Sequence, residues 1–455
     1  MATKFMKEIY ELFLEKDDLK LKHKILEYHP YEVSETMLEL TKTERLRLYN
    51  ILTPSEISYI ISFLDEDETL QLFREMIPKY VVSIIQNLEI DDAVDVIKAL
   101  PVEERAGYLS MMDEEHRLEI KDLIQYQEDT AGSIMTTEYV EIAINDDVSQ
   151  AMKKLIDQAV DAGSINNLYV INEEDILVGT LSLREMILAR KAEKIKDIMN
   201  KRIITVNTTL DQEDVANIFK DYDFSSLPVV DNQLRMLGII TIDDIVDVIE
   251  SEAMEDYSKL AGITNVALDT DTETVLLSVK KRLPWLLILS FLGFLTSTII
   301  AQFEGTLESV PTIALFIPMI LGTAGNTGTQ ALAVTVRGLS DGEFSTKLSI
   351  YRHLLRETGT GVLNGLLIGG ILFVATYAFL TLSNNIDAFK IAEVVSLSIF
   401  ASLTVSTLAG ALIPIVINTF KIDPAVASGP FVTMINDIIA LSVYFTLATI
   451  LIVNA

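Results

Sequence analysis

Residues 283–302 read LPWLLILSFLGFLTSTIIAQ, a run of residues without a charged side chain. About 20 apolar residues in a helix are enough to cross the hydrocarbon core of a bilayer, which is about 30 Å thick. Four later segments have similar length and apolar character. They cover approximately 311–336, 354–382, 393–418 and 425–453. The sequence therefore predicts an all-α transmembrane domain with five helices over residues 281–455.

The positions of the basic residues around these segments predict an orientation in the membrane. Basic residues stand before the first span and between the second and third spans. They are Lys280, Lys281, Arg282, Arg337, Lys347, Arg352 and Arg356. Short loops rich in Lys and Arg stay on the cytoplasmic side. We therefore expect a multi-pass protein of the plasma membrane, with its N-terminal half in the cytoplasm and its C-terminus outside.

The net charge of the chain is concentrated in its first half. The 455 residues carry a formal charge of −30, and nine acidic and six basic residues follow residue 282, so that about −27 belongs to the first part. A polyanionic surface repels nucleic acid and attracts cations. The chain has no cysteine and four histidines, whereas its 66 carboxylates suit hard cations such as Mg²⁺, Ca²⁺ or Mn²⁺. Nucleic acid is therefore not an expected partner.

Asp437, in FVTMINDIIALSVYF, is the acidic residue that lies well inside a predicted span. An ionisable group at that depth costs at least about 2.5 kcal/mol and usually marks an ion or proton path. Gly429 and Thr433 precede it among other small and polar residues. We interpret Asp437 as a pore carboxylate. The alternative is a carboxylate that packs against a polar neighbour, or a loop residue if the span begins at Ile438.

The second span contains an unusual run of small and polar residues, GNTGTQ at 325–330. Polar side chains at this depth must face protein or water. We expect Gly325, Asn326, Gly328 and Thr329 to line the pore, and the alternative is a contact surface between helices. For the third span, which has glycines at 361, 365 and 369, we expect such a helix–helix contact.

Prolines 30, 54, 78 and 101 recur at an almost constant interval, and each opens a stretch with helical apolar spacing. This periodicity predicts a superhelical array of short helices over residues 1–130. Asp91 and Asp92 stand at the start of one helix, where carboxylates also stabilise the helix dipole. Binding a metal ion is an equally good explanation for either residue.

A longer repeat follows, in which NNLYVINEEDILVGTLSLREMI (166–187) aligns without gaps with SSLPVVDNQLRMLGIITIDDIV (225–246). Each copy predicts a strand, a turn, a second strand and a helix capped by Ser182 or Thr241. The arrangement resembles a tandem pair of CBS domains, with units at 131–195 and 196–250. In that family the Gly-x-x-Ser/Thr-x-x-Asp pattern contacts the ribose of an adenine nucleotide. It matches Gly238, Thr241 and Asp244 here, so the resemblance implies a possible ATP site.

The second copy continues into DDIVDVIESEAMEDYSKLAGI (243–263), a helical stretch dominated by carboxylates. Like charges at helical spacing destabilise a helix by a few tenths of a kcal/mol per pair. Lys259 is the only basic residue in this stretch, so we expect bound cations to supply the missing counter-charge. The acidic connecting helix is predicted over residues 243–280.

Taken in order, the helical repeat, the YQEDTAGSIMT junction at 126–136, the paired CBS units, the acidic helix and the five spans with GTAGNTGTQ and IND resemble the MgtE family of magnesium transporters. The resemblance covers essentially the whole chain. It implies a multidomain protein that acts as a homodimer, with Mg²⁺ bound at Asp437 in a pore between the second and fifth spans. It also implies that the acidic helix is a plug, which cytosolic Mg²⁺ holds against the cytoplasmic domains.

Carried over by position, the resemblance implies a set of regulatory metal ligands in three parts of the chain. The acidic helix would provide Asp244, Asp247, Glu250, Glu252, Glu255 and Asp256; the second CBS unit Asp211, Glu213 and Asp223; and the N-terminal domain Asp91 or Asp92. The chain departs from the family pattern at Thr329, where Asn is frequent, and at Gly429, where Asn frequently precedes Pro430. Both changes alter the polarity near the ion and bear on selectivity against Mn²⁺ or Co²⁺.

The sequence thus predicts a Mg²⁺-selective channel or transporter for passive uptake, which cytosolic Mg²⁺ closes, and it predicts no enzymatic activity. One alternative is a transporter of a broader range of divalent cations, including Mn²⁺ and Co²⁺. A second alternative, from another functional class, is a membrane-anchored CBS nucleotide sensor that transports nothing. A membrane enzyme is the weakest hypothesis, because the sequence shows no nucleophile–base pair and no metal-hydrolase motif.

Overall fold

The computed structural model describes residues 9, 11–13, 17–159, 162–263, 274–344 and 346–453. The chain forms two compact units, residues 1–249 and 250–455. The division falls inside a single helix, the acidic one.

Between residues 17 and 124, all of them described, the first unit consists of nine short helices. They are α1 (Asp18–Glu27), α2 (Pro30–Glu39), α3 (Lys42–Ile51), α4 (Pro54–Ile61), α5 (Glu66–Phe73), α6 (Pro78–Ile85), α7 (Ile90–Ala99), α8 (Val102–Met111) and α9 (Glu114–Leu123). Pro30, Pro54 and Pro78 each occupy the first helical position, where the missing N–H costs no hydrogen bond. Pro101 is the residue before α8. The predicted array of short helices is confirmed.

Two small sheets with their helices complete the first unit. The first comprises β1 (Tyr139–Ala143), α10 (Val148–Gln158), β2 (Ser164–Ile171), β3 (Leu177–Ser182), α11 (Leu183–Leu188) and α12 (Ile195–Ile198). The second comprises β4 (Val206–Asn207), α13 (Gln212–Tyr222), β5 (Ser226–Val230) and β6 (Met236–Thr241), which leads directly into α14 (Ile242–Leu260). In each sheet the first two strands are parallel and the last two are antiparallel.

The strand pairing reproduces the gap-free alignment of the two copies that the sequence predicted. Asn167 pairs with Ser182 in the first sheet as Ser226 pairs with Thr241 in the second, and the glycines 179 and 238 occupy equivalent positions. The copies also contact each other directly, because the Tyr169 hydroxyl lies 2.8 Å from Ser226 Oγ. These sheets form a tandem pair of α/β units, as predicted.

The apolar core of the helical repeat extends into the second α/β unit. Val215 and Phe219 from α13 and Ile245 from α14 belong to the same buried cluster as Ile97 and Ile84 of the repeat. Burial of apolar side chains is the main favourable contribution to folding. The shared core therefore fixes the start of α14 beside the helical repeat.

The acidic helix α14 ends at Leu260, and the prediction that it extends to residue 280 was wrong. Gly262 has φ +74°, a conformation that favours glycine, and its N–H donates to the Lys259 carbonyl. Ile263 N–H donates to the Ser258 carbonyl at 2.9 Å. This pair of bonds is a Schellman motif, which satisfies the last carbonyls and stops the helix. Residues 264–273 of the predicted segment lie outside the described residues.

The second unit is helical and contains the long apolar segments. Its helices are α15 (Val275–Gln302), α16 (Glu304–Ser309), α17 (Ile317–Ser340), α18 (Lys347–Leu382), α19 (Ala388–Thr419) and α20 (Gly429–Ala448), which continues as a wider turn to Val453. Among the described residues, four helices are long and apolar enough to cross a membrane: α15, α18, α19 and α20 with its extension. With 24 residues α17 is also long enough, but it carries the GNTGTQ run.

The predicted boundaries of the spans were displaced by several residues. The second span was predicted from residue 311, but residues 311–316 form a separate tight helical turn before α17. The fifth was predicted from residue 425, whereas α20 begins at Gly429, with the Ser428 side chain accepting a hydrogen bond from Phe431 N–H. Hydropathy locates an apolar segment well, but caps and prolines determine where its helix begins.

The glycines of α18 form the helix contact that their spacing predicted. A Cβ atom at Gly361 would lie 2.9 Å from Thr407 Oγ1, and one at Gly365 would lie 2.9 Å from the Phe400 carbonyl oxygen. Gly369 faces Ser396 in the same way. Small residues let the backbones of membrane helices approach closely, and α18 packs along α19 through these three positions.

Candidate functional site

Carboxylates of the first unit converge at the starts of α7 and α14. We call this group the acidic cluster. It consists of Glu89, Asp91, Asp92 and Asp95 from the helical repeat and Asp243 and Asp244 from the acidic helix. Asp91, Asp92 and Asp244 were predicted as metal ligands, and the fold brings them together.

The local sequence explains why α7 presents carboxylates at this place. Ala93, Val94 and Ile97 are buried in the core, so Asp91, Asp92 and Asp95 remain on a more accessible part of the helix surface. Carboxylates in the first turn of a helix are stabilised by the helix dipole. Lys98 contributes a positive charge, with its Nζ 3.7 Å from Asp95 Oδ1.

The electrostatics of the acidic cluster disfavour full ionisation. Burial, with Asp91 and Glu89 close by, raises the pKa of Asp92 to about 8. Burial and the Glu66 carboxylate raise the pKa of Asp95 to about 6, although Lys98 opposes the shift. The pKa of Asp91 and that of Asp244 are also raised, in both cases by burial and by neighbouring carboxylates. The raised pKa values show that too little positive charge lies near these carboxylates to stabilise all of them in the ionised form when no cation is bound.

The predicted nucleotide pattern has structural roles in this fold. Thr241 N–H and its hydroxyl both donate to the Asp244 carboxylate, which caps the start of α14. Gly238 lies directly against the Thr136 carbonyl oxygen, where a side chain would not fit. The equivalent cap in the first copy is confirmed at Ser182 and Glu185. Asp244 thus serves both as a capping residue and as a member of the acidic cluster.

The predicted ligands of the second CBS unit lie on one helix. Asp211 caps the start of α13 by accepting a hydrogen bond from Glu213 N–H. Burial, and secondarily the charge of Asp211, raises the pKa of Asp214. Asp223 is at the opposite end of α13, in a left-handed conformation. Eleven helical residues separate the ends by about 16 Å. Asp211 and Asp223 of one chain therefore do not share an ion.

The remaining predicted ligands follow along α14. Asp247 is one turn after Asp244 in the first unit, and Glu250 is exposed at the start of the second unit. Glu252, Glu255 and Asp256 come next, and here the chain supplies its own counter-charge. Lys259 Nζ lies 2.5 Å from both Glu255 Oε1 and Asp423 Oδ2.

The C-terminal end of α14 packs against the membrane helices of the second unit. Ser340 Oγ at the end of α17 donates a hydrogen bond to Asp256 Oδ2 at 3.1 Å, while burial raises the pKa of Asp256. A Cβ atom at Gly262 would lie 3.6 Å from Pro430 Cγ, and one at Gly429 would lie 3.3 Å from the Leu260 carbonyl oxygen. The acidic helix therefore ends against the first turn of α20, the helix that carries Asp437.

Asp437 is the ninth residue of α20 and is partly buried. Its Oδ1 atom is buried and has no hydrogen-bond partner within the described part of the chain. The same is true of both amide atoms of the neighbouring Asn436, a fully buried residue. A buried carboxylate oxygen without a partner is costly. A hard cation with its water would supply both charge and hydrogen bonds to Asp437.

The predicted pore residues of the GNTGTQ run divide between two faces of α17. Gly325 and Gly328 are buried, and they pack against Thr433 and Asn436 of α20, respectively. Gly410 of α19 also packs on the Gly328 backbone. Within one chain both glycines make the close helix contacts that we considered as the alternative. Their role in lining a pore stays a prediction.

The opposite face of α17 presents polar groups outward. Gly322, Asn326 and Gln330 are spaced by four residues, and all three are exposed. Thr329 lies at the contact with α20, where its Cγ2 atom is 3.2 Å from the Cβ position of Gly429. In the same region Thr433 Oγ1 donates to the Gly429 carbonyl oxygen at 2.9 Å. Asp437 follows Thr433 by one helical turn.

Four carboxylates in or near the acidic cluster were absent from the predicted ligand set: Glu89, Asp95, Asp243 and Glu66. A spacing of four residues relates Asp95 to Asp91, which could have indicated a shared helix face. Glu66 belongs to α5, one repeat earlier, so no local pattern relates it to the cluster. It lines a cavity of about 410 Å³ together with Asp95, Lys98 and Asp129.

No three Asp, Glu or His side chains among the residues that the structure describes are arranged closely enough to ligate a single ion. The donor chemistry of the acidic cluster nevertheless fits Mg²⁺, because that ion takes oxygen ligands and usually retains several of its waters. A bound Mg²⁺ would supply the positive charge that these carboxylates need in order to ionise.

Long apolar helices, a partly buried aspartate within them and a first unit rich in carboxylates define a multi-pass membrane protein of the cation-transport class. Comparison with known proteins gives the same result. Residues 317–447 match a family described as a divalent cation transporter, 28–129 match the MgtE intracellular N domain, and 131–192 and 195–251 each match the CBS domain. The chain belongs to the MgtE family of transport proteins, which are not enzymes.

Individual relatives agree with this assignment. A magnesium transporter MgtE from Bacillus subtilis (strain 168) is 41% identical over 341 residues, which cover 75% of this chain and 74% of that protein. The soluble part of a magnesium transporter is similar with a TM-score of 0.54 and 37% identity, covering 56% of this chain and 100% of the solved one. The cytosolic domain of the Mg²⁺ channel MgtE in complex with ATP is similar with a TM-score of 0.51 and 32% identity. The match covers 53% of this chain and 99% of the solved one.

Proposed function

We propose that this chain is a Mg²⁺ channel for passive uptake, closed when cytosolic Mg²⁺ binds the acidic cluster and the acidic helix. The observation that carries the proposal is the buried, unpartnered carboxylate oxygen of Asp437 inside the membrane unit. An inside-negative potential favours entry by about 2.3 kcal/mol per charge per 100 mV, and therefore by twice as much for a divalent ion. Uptake needs no other energy source.

The polar face of α17 supports a pore between two copies of the chain. Asn326 and Gln330 are exposed in a helix that we place in the membrane. Polar side chains there face protein or water, because lipid does not satisfy them. In a homodimer these faces and the two Asp437 side chains would line one path. A carboxylate that holds the ion through retained waters admits Mg²⁺ without full dehydration.

The regulatory part of the proposal rests on charge. Without bound cations, the carboxylates of the acidic cluster that are ionised repel one another across the contact between α7 and α14, and the others stay protonated. Mg²⁺ bound there would favour the closed arrangement, and its loss would release the acidic helix. Asp247, Glu250 and Glu252 on α14, and Asp211, Glu213 and Asp223 around α13, are further proposed ligands of this regulatory set.

The decisive experiment measures Mg²⁺ uptake into liposomes that contain the full chain, with an inside-negative potential. Asp437→Asn should abolish uptake, because the neutral amide does not hold a hydrated divalent ion. Asp387→Asn is the matched control, since this exposed aspartate precedes α19 and makes no side-chain cap. Uptake by Asp437→Asn at the rate of the wild-type chain would refute the proposed path. A wild-type chain that transports nothing would favour the nucleotide-sensor hypothesis.

The same liposomes can test selectivity and the dimer. Competition by Mn²⁺ and Co²⁺ at equal concentration would distinguish a Mg²⁺ channel from a broader divalent transporter. The chain has no cysteine, so Asn326→Cys introduces a unique thiol on the polar face of α17. Oxidation should link two copies through it, whereas Leu363→Cys on the exposed apolar face of α18 should not. Equal cross-linking of both variants would exclude the proposed arrangement.

ATP binding to the CBS pair is a second proposal, favoured by the ATP complex of the similar cytosolic domain. The residues involved would be Gly238, Thr241 and Asp244. Thr241→Val keeps the shape of the side chain and removes its hydroxyl, so it should weaken ATP binding to the full chain at least tenfold. Ser182→Ala removes the equivalent hydroxyl from the first copy and serves as the control. Equal ATP affinity of Thr241→Val and the wild-type chain would refute this assignment.

A further inference from the structure

A cavity of about 310 Å³ lies at the start of α18, outside the sites described above. Its lining residues are Glu343, Phe344, Thr346, Leu348, Ser349, Arg352, His353 and Arg356. Two arginines and one carboxylate, Glu343, line the cavity, so its lining carries a net positive charge when His353 is neutral. Arg352 and Arg356 are exposed and are separated by one helical turn.

The length of α18 places this cavity at the edge of a membrane. Glu357 is the last charged residue of the helix, and residues 358–382 are uncharged. These 25 residues extend about 38 Å, which exceeds a hydrocarbon core of about 30 Å. Arg352 and Arg356 therefore lie at the level of the lipid headgroups.

A chain of hydrogen bonds holds Arg356 in place. Its guanidinium NH2 donates to His353 Nδ1 at 3.1 Å, and His353 Nε2–H donates to Thr335 Oγ1 at 2.8 Å. The Thr335 hydroxyl in turn donates to the Ala331 carbonyl oxygen. Arg356 also has a carboxylate neighbour, with its Nε 3.7 Å from Glu357 Oε1. A pre-positioned guanidinium loses less entropy when it binds an anion.

The other groups around the cavity define the kind of ligand. The Thr346 and Ser349 hydroxyls are already engaged with each other and with the start of α18, so the arginines are the available donors. Leu348, Tyr351 and Leu355, on the same part of the helix, are more than half exposed. A ligand that satisfies this surface has an anionic oxygen group and an attached hydrocarbon chain. Free phosphate has only the first.

We propose that this cavity binds the phosphate of an anionic phospholipid, with Arg352 and Arg356 as its ligands and the apolar side chains of α18 against the acyl chains. Arginine suits phosphate because its planar guanidinium forms two parallel hydrogen bonds. Basic pockets between membrane helices on the cytoplasmic side are a known setting for anionic headgroups.

The test is native mass spectrometry of the full chain in detergent with phosphatidylglycerol or phosphatidylcholine of identical acyl chains. The wild-type chain should prefer phosphatidylglycerol. R352Q combined with R356Q should weaken that binding about thirtyfold, about fivefold for each basic side chain. Millimolar inorganic phosphate should not displace the lipid, which distinguishes a headgroup site from a site for free phosphate.

Matched variants separate this site from general surface charge. K280Q combined with R282Q removes the same charge from exposed residues at the start of α15 and should change binding less than twofold. R352K combined with R356K keeps the charge and should retain most of the affinity, whereas E343Q removes the opposing carboxylate and should increase it. The proposal is overturned by equal binding of both lipids, by displacement with phosphate, by equal losses in the two glutamine pairs, or by weaker binding of E343Q.

Discussion

Replacement of Asp92 by Asn should change the number of protons that the chain releases when Mg²⁺ binds. A metal ion binds the ionised carboxylate, so a carboxyl group that is protonated beforehand must lose its proton. Burial and neighbouring carboxylates raise the pKa of Asp92 to about 8. At pH 7 this group is therefore about 90% protonated without metal, and at pH 9 about 10%.

The expected magnitude follows directly. Asp92→Asn should reduce proton release at pH 7 by about 0.9 per chain and at pH 9 by about 0.1. A second consequence concerns stability without Mg²⁺. The folded-state pKa of Asp92 is above the ordinary value of 3.8, so its contribution to stability falls as pH rises from about 4 to about 8. Between pH 6 and pH 8 the contribution of Asp92 to the free energy of unfolding falls by about 2 kcal/mol. Asp92→Asn should not show this decrease.

Titration calorimetry of the full chain with Mg²⁺ measures the proton release, if it is performed in two buffers with different ionisation enthalpies. Asp122→Asn is the matched control, because Asp122 is an exposed carboxylate of the same helical repeat. It should release as many protons as the wild-type chain. A binding enthalpy that does not depend on the buffer at pH 7, or equal release by Asp92→Asn and the wild type, would refute the assignment of Asp92 to the regulatory site.

Three further predictions concern packing and contacts. Gly328→Ala should destabilise the membrane unit by about 1–3 kcal/mol in thermal unfolding, because the new Cβ overlaps the buried Asn436 amide; Gly322→Ala, which meets no atom within 4 Å, should change little. Lys259→Gln removes the ion pairs that hold the end of α14, and partly exposed pairs of this kind are worth about 1 kcal/mol. The Mg²⁺ concentration that half-inhibits uptake should therefore rise about fivefold. An unchanged concentration would contradict this prediction. Ser182→Ala should cost about 1 kcal/mol of stability in urea unfolding through loss of a helix cap, and a change below about 0.3 kcal/mol would contradict the capping role.

The elements that the sequence predicted well are those determined by local periodicity. The proline spacing located the helical repeat, and the gap-free alignment of 166–187 with 225–246 located the last two strands of each β-sheet. Helix ends were less accurate, because capping geometry determines them. The end of α14 depends on Gly262 and two backbone hydrogen bonds, which a run of acidic residues does not indicate.

The candidate sites were harder to predict because they depend on distant contacts. Glu66 and Asp95 belong to different repeats, and only the packed array brings their carboxylates near each other. The glycines of GNTGTQ appeared as pore residues because polar and small residues at membrane depth permit two explanations. The structure places these residues on two faces of α17: Gly325 and Gly328 are buried against α20, whereas Asn326 is exposed on the opposite face.

The acidic cluster and Asp437 represent two different uses of a costly carboxylate. In the acidic cluster several partly buried carboxylates lie close together, and ionising all of them is unfavourable. Protonation relieves this repulsion when metal is absent, as the raised pKa values of Asp92 and Asp95 indicate. Occupancy by Mg²⁺ then depends on pH, and its binding competes with protonation. A sensor built in this way should become less sensitive to Mg²⁺ in an acidified cytoplasm. Measurement of the half-inhibitory Mg²⁺ concentration at pH 6 and pH 8 tests this, and a value that is equal or lower at pH 6 would contradict the coupling.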